Sequence, residues 1–184
     1  MLTTEENDLL TRVEAGTPMG DLIRQYWIPA VRSDELPSPD GAPLRIRLLC
    51  EDLLAFRVTS GRVGIIQSAC AHRGAALFLG RNEEEGLRCI YHGWKYDIDG
   101  NCVDMPAELP ENSGYRDKIK IKTYPAYERG GIIWTYMGPR ESPPPLPDIE
   151  PNILAGAIGT LQMECNWVQA IENNMDTTHI GFLH

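Results

Sequence analysis

Long apolar runs are missing from this 184-residue sequence, and so is any cluster of positive charge. No stretch approaches the ~20 apolar residues that cross a bilayer as a helix. The start, Met1 to Asp8, is acidic and polar, without the basic-then-apolar order of a secretory signal. The expectation is a chain with no membrane span, placed in the cytoplasm by default. Seventeen Lys and Arg against 26 Asp and Glu give a net charge of −9, with the basic residues scattered. That argues against a phosphate-neutralising footprint for nucleic acid and against docking on an anionic membrane surface. A disulfide framework is also missing. Cys50, Cys70, Cys89, Cys102 and Cys165 are odd in number and widely spaced, better suited to metal ligation than to pairing. No internal repeat or low-complexity tract occurs.

Histidine is scarce as well, and here the scarcity is informative. The 4 histidines fall as two pairs, His72 with His92 and His179 with His184. The rest is an ordinary globular composition, 42% hydrophobic, of a size for one domain or one domain plus part of another. Residues 5–27 read as helix on the apolar positions Leu9, Leu10, Val13, Leu22, Ile23 and Tyr26, divided by Gly16-Thr17-Pro18. Pro29 to Pro43 is turn-rich and expected to be irregular. From Leu44 the texture changes to short strands: 44–50, 53–58, 63–68, 87–90, 94–98, 102–105, 119–123, 124–128 and 132–136. Glu51-Asp52, Ser60-Gly61 and Asp99-Gly100 supply turn signals. This pattern predicts a mostly β, antiparallel sandwich or barrel over about residues 26–140, preceded by a helical segment, 1–25. The prolines of 141–152 make an extended connector. Residues 153–184 begin a further unit, with a strand at Gly159–Cys165 and helix from Val168 onward.

The first constellation is Cys70-Ala71-His72 and Cys89-Ile90-Tyr91-His92, with Gly74, Gly80, Gly86 and Gly93 alongside. Each arm offers one thiolate and one imidazole on a short loop. In a Rieske [2Fe–2S] centre two cysteines hold one iron and two histidines the other, and two such loops at hairpin tips supply that set. Cys₂His₂ is also a zinc set, although zinc fingers pair Cys with Cys and His with His, whereas each arm here is mixed. The third reading is that all four side chains are merely packed or exposed.

The run Cys70-Ala-His-Arg-Gly-Ala, with Cys89-Ile-Tyr-His92-Gly-Trp-Lys-Tyr, resembles the Rieske domain of bacterial ring-hydroxylating oxygenases. Most relatives have proline where this chain has Ala71. Rieske proteins of cytochrome complexes carry a loop disulfide at positions matching Ala75 and Tyr91, which cannot form here. They also tend to have serine at Trp94, so a hydroxyl donor is removed and a lower potential is expected.

The second constellation, Asp176, His179 and His184, resembles the Asp-x-x-His-x-x-x-x-His motif of the same oxygenases. With Ile171-Glu172-Asn173 before it and Phe182-Leu183-His184 after, it looks most like the phthalate-dioxygenase-like branch. The resemblance implies an oxygenase large (alpha) subunit, of which this chain matches the N-terminal portion. By it, His179 and His184 bind mononuclear Fe(II) as two members of a 2-His-1-carboxylate triad. Asp176 is then a bridging carboxylate between cluster and iron in a homotrimer. The third ligand, a downstream aspartate, and the substrate pocket are absent from these residues. The implied activity is hydroxylation or demethylation of an aromatic or related substrate with O₂, with electrons from a flavin reductase, directly or through a ferredoxin. Two rivals stay open: an electron-transfer-only, ferredoxin-like module and a zinc-stabilised binding module. Among lesser signals, Cys50, Cys102 and Cys165 are expected to be packed thiols. Trp94 and Tyr96 are expected beside the cluster loops, and Trp134 and Tyr136 in the core. Arg73 either steers a partner or is simply solvated. Glu172 and Asn173 are candidates to orient the iron site.

Overall fold

The structure, a computed structural model, describes residues 2–109, 113–148 and 158–183. Two short helices open the chain, α1 (Thr4–Thr11) and α2 (Pro18–Ile23). Thr3 and Glu6 close α1 with a reciprocal capping box. Thr17 caps α2, whose first residue, Pro18, has no N–H to leave unpaired. The expected helix over 5–27 thus forms in two pieces but stops at Ile23. Trp27–Arg32 is strand β1 instead, paired antiparallel with β11 (Ile132–Tyr136). Pro29 fits there because β1 is an edge strand and its register shifts between Pro29 and Val31. That corrects the irregular reading for Pro29 to Arg32, while Ser33 to Pro43 is turns and irregular chain as expected.

Three antiparallel sheets follow. The first has order β1-β11-β10, with β10 at Ala126–Arg129. The second is β2 (Leu44–Leu48), β3 (Glu51–Arg57), β4 (Val63–Gln67) and β9 (Thr123–Tyr124). The third is β5 (Arg81–Glu83), β6 (Gly86–Arg88), β7 (Lys95–Tyr96) and β8 (Cys102–Asp104). A short helix, α3 (Ser113–Arg116), and two more after the connector, α4 (Trp167–Met175) and α5 (Thr177–Leu183), complete the α-helices among the described residues.

The middle sheet explains why there are two cores. Side chains alternate faces along a strand. Leu54, Phe56 and Ile66 point one way, into a core with Leu77, Leu87, Trp94, Tyr96 and Cys102. Leu53, Ala55 and Ile65 point the other way, packing with Val31, Ile133 and Met137. Both faces of β3 are therefore buried. Each fully buried Leu, Ile or Phe contributes about 1.5–3 kcal/mol, so this strand anchors the body. The mostly β, antiparallel fold expected from the sequence is the fold observed.

Two strand readings change. The expected strand 119–123 and its successor 124–128 are re-divided at Pro125. Thr123–Tyr124 pairs with β4, and Ala126–Arg129 pairs with β11, so Pro125 hands the chain from one sheet to another. The Pro125 carbonyl accepts from Tyr136 N–H and from Thr135 Oγ1 at the crossing. Residues 159–165 form no strand, and Leu161 is 83% exposed, because no neighbouring strand pairs with them among the described residues.

Candidate metal centre

The two motif loops are built on the same backbone plan. Cys70 N–H donates to Ala75 O and Gly74 N–H returns to Cys70 O, each at 2.9 Å. In the second loop Cys89 N–H donates to Trp94 O at 2.8 Å and Gly93 N–H returns to Cys89 O at 3.0 Å. Closing so tight a loop needs a left-handed residue near its end. Gly74 (φ 67°) and Gly93 (φ 77°) supply it at equivalent positions. A Cβ on Gly93 would also press on Pro106 at 3.0 Å.

All four predicted donors line one narrow recess, with Arg73, Ala75, Tyr91 and Trp94. The thiols lie inside: Cys70 is 4% and Cys89 3% exposed. The imidazoles lie toward solvent, His72 half-buried and His92 exposed. Their rings meet edge-on with centroids 4.5 Å apart, and the Trp94 indole stacks on His72, also at 4.5 Å. Burial lowers the His72 pKa, and His92 and Arg73 nearby push it the same way, which favours the neutral, metal-binding imidazole. Its Nδ1 is buried without a hydrogen-bond partner. A buried ring nitrogen left unpaired is costly unless something ligates it.

Trp94 and Tyr96 sit beside the loops as expected, but Tyr96 does more than pack. Its hydroxyl accepts from Ala71 N–H at 3.2 Å, which leaves its own proton for Cys70 Sγ, also at 3.2 Å. Burial, with Cys70 close by, pushes the Tyr96 pKa up, so the hydroxyl stays a donor. The sequence reading counted a donor lost at Trp94 and missed this one. Its only signal was the two-residue spacing from Trp94, and both side chains enter the same core.

The donor set fits a [2Fe–2S] group: two buried thiols, two solvent-side imidazoles and an unpaired ring nitrogen.

The second constellation is not assembled among the described residues. Asp176 ends α4, and its Oδ1 accepts from the N–H groups of Thr178 (2.9 Å) and His179 (3.2 Å), capping α5. His179 is half-buried, while Glu172 and Asn173 are exposed. His184 lies outside the described residues. Of the other cysteines, Cys102 is packed as expected, its thiol pushed up to about 11 by burial. Cys50 and Cys165 are exposed instead. Cys50 sits in the β2–β3 turn with φ 66°, outside both apolar cores. Trp134 and Tyr136 are buried as expected.

The family model of the Rieske [2Fe-2S] domain matches residues 26–125, and the chain belongs to that family. Along its whole length it is 48% identical over 187 residues to the 3-chlorobenzoate-3,4-dioxygenase oxygenase subunit of Comamonas testosteroni, covering 43% of that protein. It is 45% identical over 190 residues to the phthalate 4,5-dioxygenase oxygenase subunit of Pseudomonas putida, covering 42% of it. Among solved structures, the oxygenase–ferredoxin complex of carbazole 1,9a-dioxygenase is 32% identical with a TM-score of 0.69, over 85% of this chain and 41% of that one. The chain therefore spans less than half the length of the relatives it matches.

Proposed function

We propose that this chain is the electron-handling front part of a Rieske non-haem iron oxygenase subunit. The observation that carries the reading is the pairing of buried Cys70 and Cys89 with His72 and His92 on two matched loops, with His72 Nδ1 left unpaired. Cys70 and Cys89 would hold one iron and His72 and His92 the other, a group that supplies one-electron transfer when bound. The chain's own residues do the rest. Tyr96 directs its hydroxyl at Cys70 Sγ, Trp94 clamps the His72 ring, and exposed His92 leaves the solvent edge open to a redox partner.

In the whole protein the electron goes on to a mononuclear Fe(II), with His179 and His184 as two ligands and Asp176 as the linking carboxylate. That iron would supply O₂ activation for hydroxylation or demethylation of an aromatic or related compound. By the same resemblance the third ligand is a downstream aspartate outside these residues. A flavin reductase, directly or through a ferredoxin, is the electron source. Homotrimeric assembly, cytoplasmic location and a division at 1–25, 26–140, 141–152 and 153–184 belong to the same proposal. Its support is the similarity to oxygenase subunits along the whole chain, including the segment from Asn166, which an electron carrier alone does not need. An incomplete triad is the ground for the rival: with the third ligand and the substrate pocket outside these residues, the isolated chain would act only as an electron carrier.

Low-temperature EPR of the dithionite-reduced protein, with iron, zinc and sulfide measured on the same sample, tests the proposal. A rhombic Rieske spectrum with iron and sulfide in equal amounts is expected. Stoichiometric zinc and no such spectrum would remove the electron-transfer role and the oxygenase reading with it.

A further inference from the structure

Arg88 stands outside the donor set, yet its guanidinium is aimed at the second loop. It ends β6, directly before Cys89. Its Nη1 donates to the Gly93 carbonyl and to Asp104 Oδ2, both at 2.7 Å, and its Nε donates to Glu83 Oε1 at 2.5 Å. Glu83 comes from β5 and Asp104 from β8, the two edge strands of this sheet, so one cation ties both edges to the carbonyl beside His92. Only 14% of its side chain is exposed, against 31% for Glu83 and 43% for Asp104. The first loop is held by neutral groups instead, the Tyr96 hydroxyl and Gln67 Nε2 on the Ala69 carbonyl.

We propose that Arg88 is a positioning residue of the cluster, seating the His92 loop through the Gly93 carbonyl and setting the local field at the histidine side. The proposal rests on the Rieske reading above. Reduction adds a negative charge to the group that His92 would help to hold, and a fixed, poorly solvated cation next to that loop favours it. The two carboxylates oppose it, more weakly where they are exposed to water and salt. The fork geometry also matters, since a guanidinium can serve three acceptors in a plane and an ammonium cannot.

Charge and packing then make different predictions for three variants, read by potentiometric EPR titration and by iron loss to a chelator. Arg88→Gln leaves Glu83 and Asp104 facing the loop uncompensated, and the reduction potential falls. Asp104→Asn leaves Arg88 less compensated, and the potential rises. Arg88→Lys keeps the charge and a near-normal potential but loses iron about tenfold faster, the usual scale for disturbing a ligand's supporting bonds. Potentials that move the same way in Arg88→Gln and Asp104→Asn, or in neither, overturn the electrostatic role. Unchanged iron loss in Arg88→Lys overturns the seating role. If Arg88→Gln retains no cluster, the rise in Asp104→Asn and the split in Arg88→Lys decide the matter. A wild-type protein without a Rieske spectrum fails at an earlier step, removing the Rieske reading and this inference together.

Discussion

Between Trp27 and Met137 the candidate cluster donors ride on loops closed by their own backbone and backed by two apolar cores. From Ile158 to Leu183 the second motif rides on helices of 9 and 7 residues, with Leu161, Met163, Met175 and Phe182 exposed. Two candidate metal motifs in one chain thus ride on different supports. A loop that closes within a few residues carries its geometry with it. Short helices are marginal without burial, and ligands set along them converge only when other parts of a protein hold the helices in place.

The sharpest way to break that contrast is to remove a donor from each side. Cys89→Ser is expected to abolish the Rieske EPR signal and the bound sulfide outright. His179→Ala should leave both unchanged in this chain. Loss of the signal in the second variant would mean that the tail already contributes to the cluster site.

Stability should follow the same divide. Phe56 is fully buried under the cluster loops, and Phe56→Ala should cost about 3–5 kcal/mol in urea unfolding followed by tryptophan fluorescence. Phe182, 86% exposed, should change the midpoint by no more than about 0.5 kcal/mol when truncated. Equal losses would show that the tail is packed in solution.

Acid probes the seam where α2 meets the body. Burial alone would raise the Glu51 pKa, but bonds from Lys122 Nζ and Tyr124 Oη and the charge of Arg24 outweigh it and hold it below the usual range. A depressed carboxyl pKa contributes stability above the unfolded value, and that contribution is lost as pH falls through the folded value. Thermal melts should therefore weaken below the ordinary glutamate range. Glu51→Gln should start lower at neutral pH and show a flatter acid limb; an unchanged limb would free Glu51 of that role.

The smallest effect concerns the first loop alone. Tyr96→Phe should keep the cluster and lower its potential modestly, because a hydrogen bond to Cys70 Sγ favours the more negative, reduced form. An unchanged potential would reduce that contact to packing.

The cluster motif was legible because its chemistry is local: two loops, each with a thiolate, an imidazole and a glycine at the turn. The hairpins were legible for a related reason, since period-two alternation and turn residues are near-neighbour signals. Less could be read where a segment's fate depends on a remote partner. Trp27–Arg32 looked like the tail of a helix and then a loop, and became a strand only because β11 lies alongside it. Gly159–Cys165 looked like a strand and has no partner to pair with among the described residues.

The sequence by itself determined the candidate donors, the two turns that present them and the mostly β character of the body. Tertiary structure alone decided that β3 is buried on both faces, that Pro125 passes the chain between sheets, that Tyr96 reaches Cys70 and that Arg88 gathers Glu83, Asp104 and Gly93. The physical reason is one of range. Alternation fixes which face of a strand a side chain occupies, whereas only the order and register of the strands fix what that face meets.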